Sequence, residues 1–253
     1  MDIHLELFSY NLSYTEFASL VVAAALIGMA KTGVSGAGMI AVPVLAIIFG
    51  GKGSTGLLLP ILIFADFFGV YHYRQHANWQ HLRRLLPFAV LGVIIGTISG
   101  NTIDDAMFRN IMAVIIFVSL AIMVWQQYSK APIVPNSIYL VSGIGILGGF
   151  TTMVGNLAGP VMALYLLAMQ FNKNQFIGTA AWFFLCINVI KIPFHAFVWK
   201  TITLNSFQLG LTVIPAVACG AYLGIYLIKR VPENLFRWFI IFTTGVAAVA
   251  MIV

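Results

Sequence analysis

A chain of 253 residues that is 61% hydrophobic and only 8% charged has too little polar surface to cover itself in water, so its apolar surplus faces lipid. Its formal charge of +6 comes from cations scattered between apolar runs. They form no patch, which argues against a nucleic-acid partner and for membrane orientation and an anionic solute. Transmembrane strands would alternate polar and apolar residues over ~10 positions. The runs lack that alternation, so the expected fold class is an all-α polytopic membrane protein.

The N-terminus carries Asp2, His4, Glu6 and Glu16 where a secretory signal needs a basic stretch, so the first apolar segment is expected to be retained. The apolar segments fall roughly at 17–30, 36–49, 54–73, 83–100, 106–127, 138–150, 157–169, 175–198, 205–228 and 234–253. Segments 17–30, 36–49, 138–150 and 157–169 are short. At a rise of about 1.5 Å per residue none crosses a ~30 Å hydrocarbon core alone. They form two pairs, separated by glycine-rich breaks at 31–38 and 148–160. Each pair reads as one interrupted helix or as a re-entrant hairpin. The remaining segments read as full spans.

The sequence repeats itself. Pro87, Gly92, Gly96, Phe108 and Arg109 recur at one constant spacing as Pro215, Gly220, Gly224, Phe236 and Arg237, and Asp105 falls on Glu233 in that register. Gly56 and Asp66 fall on Gly178 and Asn188 at a slightly shorter spacing, and Thr32 and Gly36 fall on Thr151 and Gly155 at one shorter still. Residues 1–130 and 131–253 are therefore expected to be two tandem repeats in one membrane domain, each a broken or re-entrant helix followed by three transmembrane helices. Such repeats are common in secondary transporters. If each broken segment returns to the face it left, the halves are inverted. Arg74, Arg83, Arg84, Lys130, Lys173, Lys229 and Arg230 are then cytoplasmic, and the acidic N-terminus, Asp104 and Asp105 lie outside, with Lys52 and Lys200 against the rule. If each segment crosses, the halves are parallel and Lys173, Lys229 and Arg230 fall on the wrong face. The inverted arrangement is preferred.

Lys31 is followed by Thr32, Gly33, Ser35, Gly36 and Gly38. A lysine at mid-membrane carries an insertion penalty of roughly 2.5–3.5 kcal/mol, so it needs a partner or a watery cavity unless it snorkels to an interface. Glycines let the backbone leave the helix, and unwound backbone at that depth is tolerated where it lines a cavity. A helix restarting near Gly36–Gly38 would aim free N–H groups at the break. Lysine, hydroxyls and a helix N-terminus together make an anion site. The second break offers Thr151, Thr152, Gly155 and Asn156 without a cation, before Pro160 at the start of a new helix; the bland alternative is a kink packed with small residues. Lys191 shares a helix face with Asn188 and His195. Asp66 stands alone as an acid deep in an apolar run, as an ion-pair partner of Lys31 or Lys191 or as a proton carrier. His72, Arg74, His76 and His81 read as loop residues. Asp105 with Arg109 and Glu233 with Arg237 read as helix-start ion pairs. Cys186 and Cys219 read as small core residues. No metal-ligand spacing and no phosphate-loop, H-E-x-x-H or G-x-S-x-G signature occurs, so no cofactor, no metal and no enzyme activity are expected.

Several stretches resemble the TauE/SafE family of sulfite and organosulfonate exporters, also called the toluene-sulfonate uptake permease group. They are Gly28-Met-Ala-Lys-Thr-Gly-Val-Ser-Gly-Ala-Gly38 with Pro43, Asp66-Phe-Phe-Gly-Val-Tyr-His-Tyr-Arg74 with Trp79, Leu86–Gly96, Gly148–Pro160 and Gly178-Thr-Ala-Ala-Trp182. The resemblance covers nearly the whole chain. It implies a gradient-coupled secondary transporter of sulfite, a sulfonate or a sulfoacetate-like anion in the inner (plasma) membrane. The expected partners are that anion and lipid, with a homodimer as an option because Gly92-x-x-x-Gly96 and Gly220-x-x-x-Gly224 could pack within or between chains. A passive anion channel is the alternative reading.

Overall fold

The computed structural model describes residues 4–34, 37–100, 105–128 and 137–250. Ser35, Gly36, Asp104 and Lys130 lie outside the described residues, and so do the side chains of Lys52, Asp105 and Arg109. The chain opens on a hairpin that its composition does not advertise. Strands β1 (His4–Leu7) and β2 (Tyr10–Ser13) pair antiparallel, Leu5 opposite Leu12. Phe8 and Ser9 turn the corner at φ 50° and 66°, the left-handed pair that a tight two-residue hairpin needs. Ser13 and Glu16 then close a capping box over the first helix, satisfying two of its free N–H groups.

Every described secondary-structure element after Ser13 is a helix. The first half comprises α1 (Tyr14–Lys31), α2 (Ala37–Phe49), α3 (Gly51–Tyr73), α4 (Trp79–Ser99) and α5 (Asp105–Tyr128). The second comprises α6 (Ile138–Gly155), α7 (Gly159–Ala168), α8 (Lys173–Pro193), α9 (Leu204–Thr212), α10 (Ile214–Arg230) and α11 (Glu233–Ala250). Among the described residues, five helices are long and apolar enough to cross a membrane, or six if the bent pair α9–α10 counts as one. The chain is a multi-pass membrane protein.

Two sequence expectations change. Both α1 and α6 have 18 residues, longer than the segments 17–30 and 138–150 suggested, and each has the length and hydropathy of a span. The short members of the pairs are α2 and α7. Segment 205–228 is not one straight span: α9 and α10 meet at 49°. Pro215 begins α10 and removes a backbone donor at the junction. The Thr212 hydroxyl bonds back to the Leu209 carbonyl at 2.7 Å, a pattern that bends helices.

The tightest helix contacts are made by glycine. A Cβ at Gly220 of α10 would lie 1.9 Å from the Ala25 carbonyl oxygen of α1, and one at Gly149 of α6 would lie 1.9 Å from the Ala89 carbonyl oxygen of α4. Small residues let these backbones touch where lipid offers no hydrophobic drive to associate. Gly92 and Gly96 also pack on α6, and Gly224 packs on α1. The small-residue stripes are thus used inside the chain, and the homodimer option loses the argument that raised it.

Along both contacts residue numbers rise together, so α1 runs with α10 and α4 runs with α6. The start of α9 lies by the hairpin, with Asn205 donating to Ser9 at 3.2 Å. The end of α3 lies by the start of α8, where Gly178 abuts the Tyr73 carbonyl. The core between these ends is built around α3 and α8, which cross with Asp66 and Asn188 face to face.

Candidate functional site

Lys31 is the last residue of α1. Its Nζ lies 2.9 Å from Asp66 Oδ1, with the lysine side chain 12% exposed and Asp66 fully buried. The ammonium also sits 3.9 Å from the centre of the Phe184 ring. Asn188 donates from Nδ2 to Asp66 Oδ2 at 2.7 Å. One carboxylate therefore serves a cation on α1 and an amide on α8. A buried charge is tolerable when paired and hydrogen-bonded in this way.

Lys191, one turn further along α8, is fully buried and reaches the other break. Its Nζ donates to the Thr152 carbonyl at 2.7 Å, to Asn156 Oδ1 at 2.5 Å and weakly to Thr152 Oγ1 at 3.4 Å. Asn156 terminates α6 in the left-handed conformation, φ 55°, a role asparagine fills more readily than most residues. Both breaks thus end a helix beside a lysine, where the negative end of the helix dipole favours a cation. Lys31 belongs to its own helix; Lys191 arrives from another.

A lysine ammonium has only donors, so the Asn156 carbonyl oxygen must face it. Among the described residues the buried Asn156 Nδ2 then has no partner, and Asn188 Oδ1 is in the same state because a carboxylate accepts only. Both asparagines line a cavity of about 100 Å³ together with Lys31, Gly33, Gly38 and Thr152. The ends of α1 and α6 and the starts of α2 and α7 converge on it, Gly159 and Pro160 included.

Other expected site residues stand differently. Thr32 is buried, and its hydroxyl bonds the Gly28 carbonyl at 3.1 Å and the Ala221 carbonyl of α10 at 3.0 Å. Thr151 bonds the Gly148 carbonyl of its own helix at 3.1 Å. Both hydroxyls are engaged in holding helices, and neither they nor Gly155 line the cavity. His195 lies in a π-helical turn, Phe194–Val198, and bonds Thr201 at 2.8 Å. His81 is no loop residue: it sits in the first turn of α4 and bonds the Tyr165 hydroxyl at 2.8 Å. Glu233 accepts the Lys173 backbone N–H at 2.6 Å in place of the expected partner Arg237. Cys186 is partly buried and Cys219 is exposed on α10. Sequence reasoning missed Phe184 and the α7–α8 wall of Met162, Leu166 and Ala180. Phe184 was within reach, one helical turn before Asn188 on the face already singled out.

The profile of the sulfite exporter TauE/SafE family matches residues 20–251. The chain belongs to that family. The match spans both breaks, Asp66 and Lys191, so the whole cavity lies inside the family's domain. Family membership makes the protein a membrane transporter of a small anionic solute. No curated protein matches the chain.

Proposed function

We propose that the protein is a secondary transporter of a small sulfur-containing oxyanion, such as sulfite, a sulfonate or a sulfoacetate-like anion, bound in the cavity between the two breaks. The carrying observation is electrostatic. Lys31, Lys191 and Asp66 are gathered at one buried place, and two cations against one acid leave a formal surplus of one positive charge. A monoanion in the cavity neutralises it. Lys31 is the charge that faces the solute. The unpartnered Asn156 amide donates to its oxygens, and Lys191 acts from behind by holding that amide in place. Asn188 Oδ1 accepts a hydrogen, which suits an anion carrying one, as hydrogensulfite does. A cavity of about 100 Å³ holds several waters, the space of a compact oxyanion.

The arrangement of helices supports two inverted repeats, 1–130 and 131–253. Helix α1 starts at the hairpin end of the bundle and α6 at the opposite end, beside the start of α4. Each broken segment then turns back near the cavity, and rocking of the halves exposes the site alternately to either face. The basic loops support a cytoplasmic position for the His76 end of a protein in the inner (plasma) membrane, and a solute or proton gradient is the proposed energy source.

The test is flux of labelled sulfite and small sulfonates into proteoliposomes. Uptake against a gradient, lost in Lys31→Ala while the protein still melts cooperatively, is expected. Equal flux in that variant removes the site. Equilibration without concentration marks a passive channel. A thermal-shift series of sulfite, sulfonates, thiosulfate and carboxylates ranks the solutes, since a ligand stabilises the state it binds.

A further inference from the structure

Apolar atoms pack against the central cavity where Gly33 borders it. Gly33 lines the cavity with φ +129°, a conformation side chains rarely adopt. A Cβ there would lie 2.6 Å from Ile228 Cγ1 and 2.9 Å from Ile177 Cδ1. Ile177 also lines the cavity, and both isoleucines are buried, 3% and 1% exposed for Ile177 and Ile228. Ile228 also borders a different hollow of about 320 Å³, together with His72, His76, Lys173 and Lys229. A neighbouring hollow of about 580 Å³ shares His76, Lys173 and Lys229 and adds Arg230 and Glu233. Ile228 therefore touches both the Gly33 edge of the cavity and the basic hollow, which forms a vestibule beside it.

The vestibule's polar groups hold Ile228 in place. Lys173 Nζ donates to the Ile228 carbonyl at 2.9 Å and to the Val231 carbonyl at 2.7 Å, fixing the end of α10. Glu233, the acid of the lining, accepts the Lys173 backbone N–H. The Arg230 guanidinium rests 3.9 Å from the centre of the Tyr226 ring. The lining keeps a net excess of cations, which raises the local concentration of anions at its mouth.

The geometry points to a gated entry: the basic vestibule of His72, His76, Lys173, Lys229 and Arg230 is an antechamber for small anions, and Ile228 packed on Gly33 and Ile177 is the gate between it and the central cavity. This rests on the cavity being the solute site. Its test needs no transport, so the two can fail separately.

In full-length protein carrying Cys186→Ala and Cys219→Ala, two reporter cysteines are compared in proteoliposomes. Asn174→Cys lies in the vestibule and Ala180→Cys in the cavity. The probe is sulfonatoethyl methanethiosulfonate, itself a small sulfonate. Asn174→Cys is expected to react fast from one face only, which defines the vestibule side. Ala180→Cys is expected to react slowly from that face, and Ile228→Ala to speed it at least tenfold. Ile228→Leu, which keeps the bulk, is expected to leave it slow. An Ala180→Cys rate unchanged by Ile228→Ala, with Asn174→Cys still reacting normally, overturns the gate. For the antechamber, Lys229→Gln with Arg230→Gln is expected to lower the rate at Asn174→Cys severalfold with the sulfonate probe at low salt, and not with the neutral methyl methanethiosulfonate. An unchanged ratio of the two probes overturns it.

Discussion

The two breaks solve one problem in different ways. At the first, the lysine is the last residue of the broken helix, and its compensating acid comes from a neighbouring span: Lys31 on α1 with Asp66 on α3. At the second, the broken helix supplies neutral groups, a carbonyl, a hydroxyl and an amide, and the cation comes from the span: Lys191 on α8 with Thr152 and Asn156 at the end of α6. The first break holds an ion pair, and the second holds an uncompensated cation that orients a neutral donor. The lesson is that two broken helices can each end beside a lysine while only one of them carries it in its own helix. Under the proposed function, an asymmetric anion meets a charge on one side and an amide on the other.

The largest effect is expected from Asp66→Ala, which breaks the pair and leaves Lys31 and the Asn188 amide without their acceptor. Loss of one partner of a buried pair costs about 3–5 kcal/mol, so the melting temperature in detergent should fall sharply. Unchanged melting would mean the first break does not rest on this pair. Next comes the double substitution Lys31→Ala with Asp66→Ala. Removing both charges together should recover most of the stability, yet flux should stay about a hundredfold down, the scale of one charge-assisted hydrogen bond. Recovery of flux along with stability would make Lys31 structural only.

Lys191→Met probes the other break. Replacing a buried, unpaired cation by an apolar residue of similar shape should leave melting unchanged or raise it. Anion affinity, read by thermal shift against solute concentration, should weaken about tenfold, the lower range for a lost charged hydrogen bond. The smallest effect is expected for Asn156→Gly. Glycine adopts the left-handed cap without strain, so stability should hold while the lost amide donor weakens affinity a few-fold. If Asn156→Gly and Lys191→Met are additive in a double variant, the two residues act independently, and the account of Lys191 as the holder of the Asn156 amide fails.

Much of this was legible in the chain. Hydrophobic runs with almost no charge announce membrane helices because lipid leaves the backbone no other partner. Lys31 beside glycines announces a break and a partner for the lysine, since a lone cation at depth must be housed. The hairpin was hidden because Phe8 and Ser9 turn it without the asparagine or glycine that normally signals such a corner. The bend at Val213 was hidden because Pro87, at the matching position, sits inside the continuous helix α4. Thr32 and Thr151 read as solute donors because a hydroxyl in a break has donor chemistry; which carbonyl it meets is set by the neighbouring helix.

The sequence by itself determined the membrane class, the family, and the set of polar residues that had to be accounted for, because each of these follows from composition, spacing and the penalty for charge in lipid. Only the tertiary structure decided how those residues are shared out. Asp66 went to Lys31 and Asn188, Lys191 to the second break, and Ile228 to Gly33. The reason is that partnership here is set by helices from opposite halves crossing at glycine contacts, and a contact between residues more than a hundred positions apart leaves no local pattern in a single chain.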